Sequence, residues 1–151
     1  MFAIAIVIVF TAMIFATGGG LAAIVDIPSV IIPLAITLVV LAGAGLFRDF
    51  FRAIKISVAK DNIYTKKELE KSKLSIGLAM KSLLLSGLGT TFIGFVVLLP
   101  RYDDPLSLKA SMAVSMISFM YSLFLMLLLL PVDYKIRSII LDLEEENEEI
   151  Q

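Results

Sequence analysis

Ser82, Ser86, Thr90 and Gly94 recur every four residues through an uncharged stretch, Ser82–Pro100, and Gly87 and Thr91 make a second row beside them. In a later uncharged stretch Ser111, Ser115, Ser118 and Ser122 stand at i, i+4, i+7 and i+11, with Tyr121 alongside. These spacings put each set on one face of a helix. Hydroxyls so arranged have two uses in lipid. Small side chains let helices approach closely, and Ser and Thr bond across the gap or back to their own carbonyls. Alternatively, two such faces line a passage, or a central hole filled by another chain, and solvate a few waters or an ion without a fixed charge. Close packing is the ordinary role of any one hydroxyl; the lined passage is the sharper reading of the rows as a set.

The residues that are missing narrow the chemistry. The chain has no Cys and no His. That removes disulfides, thiolate chemistry, His-based metal sites and a His general base. No nucleophile–base pair or metal set can be assembled, so an enzyme is not expected, nor a haem-bearing electron carrier, nor any cofactor. From Ser82 to Leu99 and from Ala110 to Leu130 there is no Asp, Glu, Lys or Arg either. Ionisable residues in membrane spans mark proton and ion relays because their burial is costly. If ions move here, the titrating acid must come from a second polypeptide. No basic patch with interleaved aromatics appears, so nucleic acid is not an expected partner.

The elements that must hold these rows are membrane helices. Of 151 residues 59% are hydrophobic, with a mean hydropathy of +0.97, far above an ordinary soluble domain. A membrane helix needs about 20 apolar residues. The expected fold class is an all-α polytopic membrane protein, a single domain of four transmembrane helices at about residues 2–17, 28–47, 82–99 and 107–131. The first stretch lacks a basic n-region and an A-x-A site, so it reads as a short span rather than a signal peptide.

Arg48–Lys73 holds eight basic residues against four acidic ones, whereas Asp142–Glu149 holds six acids and no base. The positive-inside rule makes the basic segment 48–81 cytoplasmic, and with four spans both termini and the acidic tail 132–151 as well. Lipids are the expected neighbours, with the basic collar against anionic headgroups or a cytoplasmic target. Thr65 with Glu68 forms a capping-box pattern, from which a helix runs without Pro to Leu99 and projects from the membrane before becoming span three. Asp104 and Pro105 start the next helix. Pro131 is expected to kink or break it at the inner end of span four. Beyond, Ile136, Ile139, Ile140 and Leu143 make an apolar helical stripe. The glycines Gly18–Gly20 and the Asp26–Pro28 step mark an outer turn. Asp26, Asp103 and Asp104 would ring the outer mouth, where they could attract cations.

Several stretches resemble one family. GGGLAAIVDIPSVII from Gly18, TTFIG from Thr90, and DDPLSLKASMAVSMISFMYS from Asp103 with the later LLLLPVDYKI are similar to the spans and outer loops of MotA, in the MotA/TolQ/ExbB proton-channel family. Four spans with both ends inside match MotA, whereas TolQ and ExbB look like three-span proteins. The resemblance implies a homo-oligomeric ring in a bacterial inner membrane, typically a pentamer, around a single-span MotB/ExbD/TolR-like partner. A membrane Asp of that partner carries the ion, and ion flow drives mechanical work. It places Thr91 at the third-span ion-facing threonine, Ser118 at the first hydroxyl of the fourth-span pair and Pro131 at the inner proline. Ser86, Thr90, Ser115, Tyr121 and Ser122 complete the expected ion-pathway or partner-facing set. Leu84 stands where the family has a third-span proline, Phe119 replaces the second fourth-span hydroxyl, which leans toward protons, and Ala35–Ile36 replace a Gly-Gly. The segment between spans two and three is also far shorter than in flagellar MotA, and no rotor-pushing charge maps onto it. The expectation is a reduced ring subunit of an ion-driven, proton-using stator or energiser. The rival is a non-conducting structural or assembly oligomer, in which the rows are packing alone.

Overall fold

The computed structural model describes residues 6–8, 11–12, 26–58, 64–98 and 105–149, and every regular element among them is helical. Helix α1 is Ile27–Gly43, α2 is Phe47–Val58, α3 is Lys66–Leu98 and α4 is Pro105–Glu149.

Helix α1 carries Pro28 in its first turn, where no hydrogen bond is lost. Its buried residues, Ser29, Pro33, Thr37 and Leu41, lie four apart on one face. Pro33 removes a backbone donor inside the helix. The Thr37 hydroxyl donates to the Pro33 carbonyl at 2.8 Å and keeps its own polar group satisfied at this buried face. The helix ends in a Schellman motif: Leu46 N–H donates to the Leu41 carbonyl at 2.9 Å and Gly45 N–H to Ala42 at 3.0 Å. Gly45 sits at φ 71°, a conformation that costs any residue with a Cβ. The chain then turns by 113° into α2. The expected span 28–47 is therefore shorter than its apolar composition suggests. The backbone stops being helical at Gly43, and 17 residues reach only about 25 Å at ~1.5 Å per residue, against about 30 Å of hydrocarbon.

Helix α3 begins where the capping pattern predicts. Glu68 accepts from the Thr65 backbone N–H at 3.2 Å and from its hydroxyl at 2.9 Å. The Thr65 side chain thus donates to the carboxylate instead of capping the Glu68 N–H, whose hydrogen goes to the Thr65 carbonyl. Of the kink or break expected at Pro131, helix α4 shows no break. It runs from Pro105 to Glu149 without a break, with Pro131 in its interior. Buried Val132, Ile136 and Ile140 hold the turns after the proline in the protein core, and that packing sustains the helix across the one lost backbone bond.

Helices α3 and α4 form a long antiparallel hairpin with two kinds of packing. At the charged end Leu69 and Ile76 of α3, Val132, Ile136 and Ile140 of α4, and Ala53 and Ile56 of α2 make a conventional core. Toward the loop end the contacts pass to glycine and hydroxyl residues. The two kinds of packing match what water and lipid each favour. Water drives large side chains together, whereas lipid tails are as apolar as leucine and leave close van der Waals approach and hydrogen bonds as the glue. The four helices meet at a small crevice of about 110 Å³, where Leu34, Thr37, Phe50, Leu83, Leu125 and Leu129 come together.

Two helices are long and apolar enough to cross a membrane: α3, and Ser115–Glu145 within α4. Helices α1 and α2 pass that test only as a bent pair, which makes a third at most. The chain is all-helical with two or three candidate spans, and the four expected are not reached among the described residues. The span expected at 2–17 falls largely outside them; residues 6–8 and 11–12 are helical.

Candidate functional site

The hydroxyl rows of α3 and α4 face one another within a single chain. An added Cβ at Gly87 would lie 2.5 Å from both Cβ and Oγ of Ser122, and one at Gly94 would lie 2.7 Å from Cβ of Ser115. No real Cβ sits so close, so these two glycines set the distance between the helices. Four residues after Gly87, the Thr91 hydroxyl lies 2.9 Å from the Gly87 carbonyl of its own helix and 3.0 Å from the Ser115 carbonyl across the seam. That second contact ties α3 to α4 directly.

Ser86, Thr90 and Ser122 turn back on their own helices, the i−3 and i−4 bonding common to Ser and Thr. Ser86 donates to Leu83 at 3.1 Å, and Ser122 to Ser118 at 3.0 Å. The Thr90 hydroxyl lies within 3.0 Å of both the Ser86 and Gly87 carbonyls. Ser86, Ser115, Ser118 and Ser122 are buried by the chain's own helices, whereas Thr90, Thr91 and Tyr121 are half-buried. A single chain therefore gives the four serines to a packing seam. Thr90, Thr91 and Tyr121 keep surface for another molecule. The side chain of Ser111 lies outside the described residues, as do Asp103 and Asp104; of the expected outer acids, Asp26 is described. That residue precedes α1 and accepts from the Ser29 hydroxyl.

Asp133 is the feature the sequence reading passed over. On the sequence alone the segment after Pro131 is expected to be cytoplasmic, with a stripe through Ile136 and Ile140 and no role for Asp133. Because α4 continues, Asp133 stays on the packed stripe and is 6% exposed. Its Oδ2 accepts from Arg137 Nε at 2.7 Å, while Oδ1 is buried without a hydrogen-bond partner. Two signals were present: Asp133 lies eleven residues after Ser122, hence on the same face, and Arg137 follows at i+4. Beside it Arg137 joins Lys73, Lys81 and Glu70 around an open groove of about 540 Å³ against Gly77. The basic segment thus gathers cations where the hairpin leaves its apolar half.

Outside the apolar segments, exposed ion pairs close the charged end. Lys66 Nζ lies 2.7 Å from Glu144 Oε1. Their hydrogen bond raises the Lys66 ammonium above its ordinary range and lowers the Glu144 carboxyl. Glu68 is lowered as well, first by the Thr65 N–H, then by the Thr65 hydroxyl. Among the described residues no group of three metal-ligating side chains is gathered. No protein-family model, curated protein or solved structure matches this chain.

Proposed function

We propose that the chain is a ring-forming subunit of an ion-driven stator or energiser of the MotA/TolQ/ExbB type, assembled around a single-span partner that supplies the titrating acid. One observation carries the reading: two helices long and apolar enough to cross a membrane hold no ionisable residue over 82–98 and 110–130 and run on as one packed hairpin. Such a hairpin is a stiff lever. Displacement of its membrane half by a neighbouring charged helix reaches the charged end through the Ile76–Ile136 core. Thr91 is the residue of choice at the partner face, because it is half-buried and its hydroxyl already bridges α3 and α4. In this reading the basic segment is cytoplasmic, the membrane is a bacterial inner membrane, and protons are the ion.

A specific observation favours the second reading, a non-conducting structural oligomer. The serine rows close on each other inside one chain and need no passage to satisfy them.

Native mass spectrometry of the complex released from its own membrane separates the two. The stator reading expects several copies of this chain with a smaller number of single-span chains bearing a membrane Asp. Reconstituted vesicles should then pass protons only when both are present. In those vesicles Thr91→Val should reduce flux more than assembly. A homo-oligomer without a second chain, or equal loss of flux and assembly, would leave the structural reading.

A further inference from the structure

Helix α2 has two apolar sides, and the core accounts for one. Ala53 and Ile56 point into the protein, and Phe50 packs beside them. Phe47, Phe51, Ile54 and Val58 follow one another at i, i+4, i+7 and i+11, a second face left exposed among the described residues. They are 40%, 47%, 36% and 81% exposed. The rings of Phe47 and Phe51 pack edge to face at 5.0 Å, so the stripe is one continuous surface.

We infer that α2 is an in-plane anchor whose Phe47–Val58 stripe is seated in the acidic lipid surface of the membrane that α3 and α4 cross. Three features select this occupant. The 113° turn after α1 sends α2 across the direction of that helix instead of onward through the bilayer. Charge is arranged for anions: Arg48 and Lys55 are exposed beside the stripe. The only acid of the helix, Asp49, is buried and paired to Arg52 at 2.9 Å. An apolar stripe with basic flanks is the pattern that seats a helix about 5–10 Å into the headgroup and acyl boundary, and an anionic leaflet attracts the flanking cations. A second copy docking on the same face would instead bring Arg48 and Lys55 against their own equivalents, which repels.

The helix is also fixed in place. Lys135 Nζ donates to the Ser57 carbonyl at 2.9 Å, which satisfies a carbonyl in the last turn of α2 and ties it to α4 just past Pro131. The Schellman turn at Gly45 holds the other end. The anchor sets how deep the hairpin sits, and it does so whether or not the assembly conducts ions.

The chain has no Trp, so Phe51→Trp introduces a single reporter at an exposed position, and Val58→Trp provides a second at the end of the stripe. The full-length protein would be placed in nanodiscs of phosphatidylcholine with phosphatidylglycerol, brominated either near the glycerol or near the chain ends. Both reporters are expected to emit at blue-shifted wavelengths and to be quenched more strongly by the shallow bromines. Adding Arg48→Gln with Lys55→Gln should weaken that quenching, as should phosphatidylcholine alone. Absence of quenching in both variants would overturn the inference and leave a face for another protein. Stronger quenching by the chain-end bromines would also overturn it, because α2 would then be the lower half of a bent span.

Discussion

At Gly87 and Gly94 the distance between α3 and α4 is decided by the absence of a methyl group. Gly87→Ala pushes a Cβ into the Ser122 side chain, and Gly94→Ala one into Ser115. Because the opposing atoms include Cβ, which no rotamer change moves, the helices must part. Each substitution should cost about 1–3 kcal/mol, the range for overpacking. Thermal unfolding in nanodiscs measures it, and pairing Gly87→Ala with Ser122→Gly should recover most of the loss. A second residue-scale case is the Asp133 carboxylate. Arg137→Ala leaves it buried with neither oxygen paired. Since the guanidinium is 53% exposed, the cost should be about 1–3 kcal/mol, below the ~3–5 kcal/mol of a fully buried pair. Arg137→Lys should restore part of the stability in the same unfolding assay.

The elements owe their ends to a few backbone positions. The bend between α1 and α2 depends on Gly45 at φ 71°, where an added Cβ meets no neighbour yet the conformation itself is strained. Gly45→Ala should therefore cost about 1–2 kcal/mol through backbone preference alone. Its signature is faster amide hydrogen exchange at Gly45 and Leu46, the donors of the Schellman bonds, with the α3–α4 seam unchanged. The start of α3 was legible in Thr65 and Glu68, because capping chemistry is local and independent of what packs around it. The end of α1 was legible in principle, since Ala-Gly-Leu after an apolar run is a helix-stop pattern. Hydropathy alone carries across it into Phe47. Pro131 shows the reverse case: a local rule allows a kink or a break, and the helix runs on unbroken where Val132 and Ile136 pack into the core.

Across the whole molecule the charged end is closed by surface ion pairs whose titration gives a sign. Glu68 and Glu144 have carboxyl values lowered from the ordinary 4.5. Their contribution is fully present above that value and is lost as pH falls through the lowered folded values. Lys66 is raised from 10.5, so its share is present below 10.5 and is lost as pH rises through the raised value. Since the chain has no Cys, spin labels at Lys67→Cys and Glu145→Cys report on this closure alone. The distance distribution should stay narrow across neutral pH and broaden below 4.5 and again at strongly alkaline pH. The core around Ile76 and Ile136 should hold through both limits, because burial of those side chains is independent of charge.

The residue order by itself determined the all-helical class, the apolar layer, the start of α3, the apolar stripe through Ile136 and Ile140, and the alignment of the hydroxyls on single faces. Each of these depends on periodicity or local backbone chemistry. Only the tertiary structure decided what those faces meet. The serine rows of α3 and α4 turn toward each other, Asp133 is drawn into the packed stripe by a helix that does not stop at Pro131, and α2 keeps one apolar face uncovered. A one-dimensional pattern fixes which side chains share a face. The partner of that face follows from how distant segments compete to bury it, and that competition is settled by the packing of four helices at once.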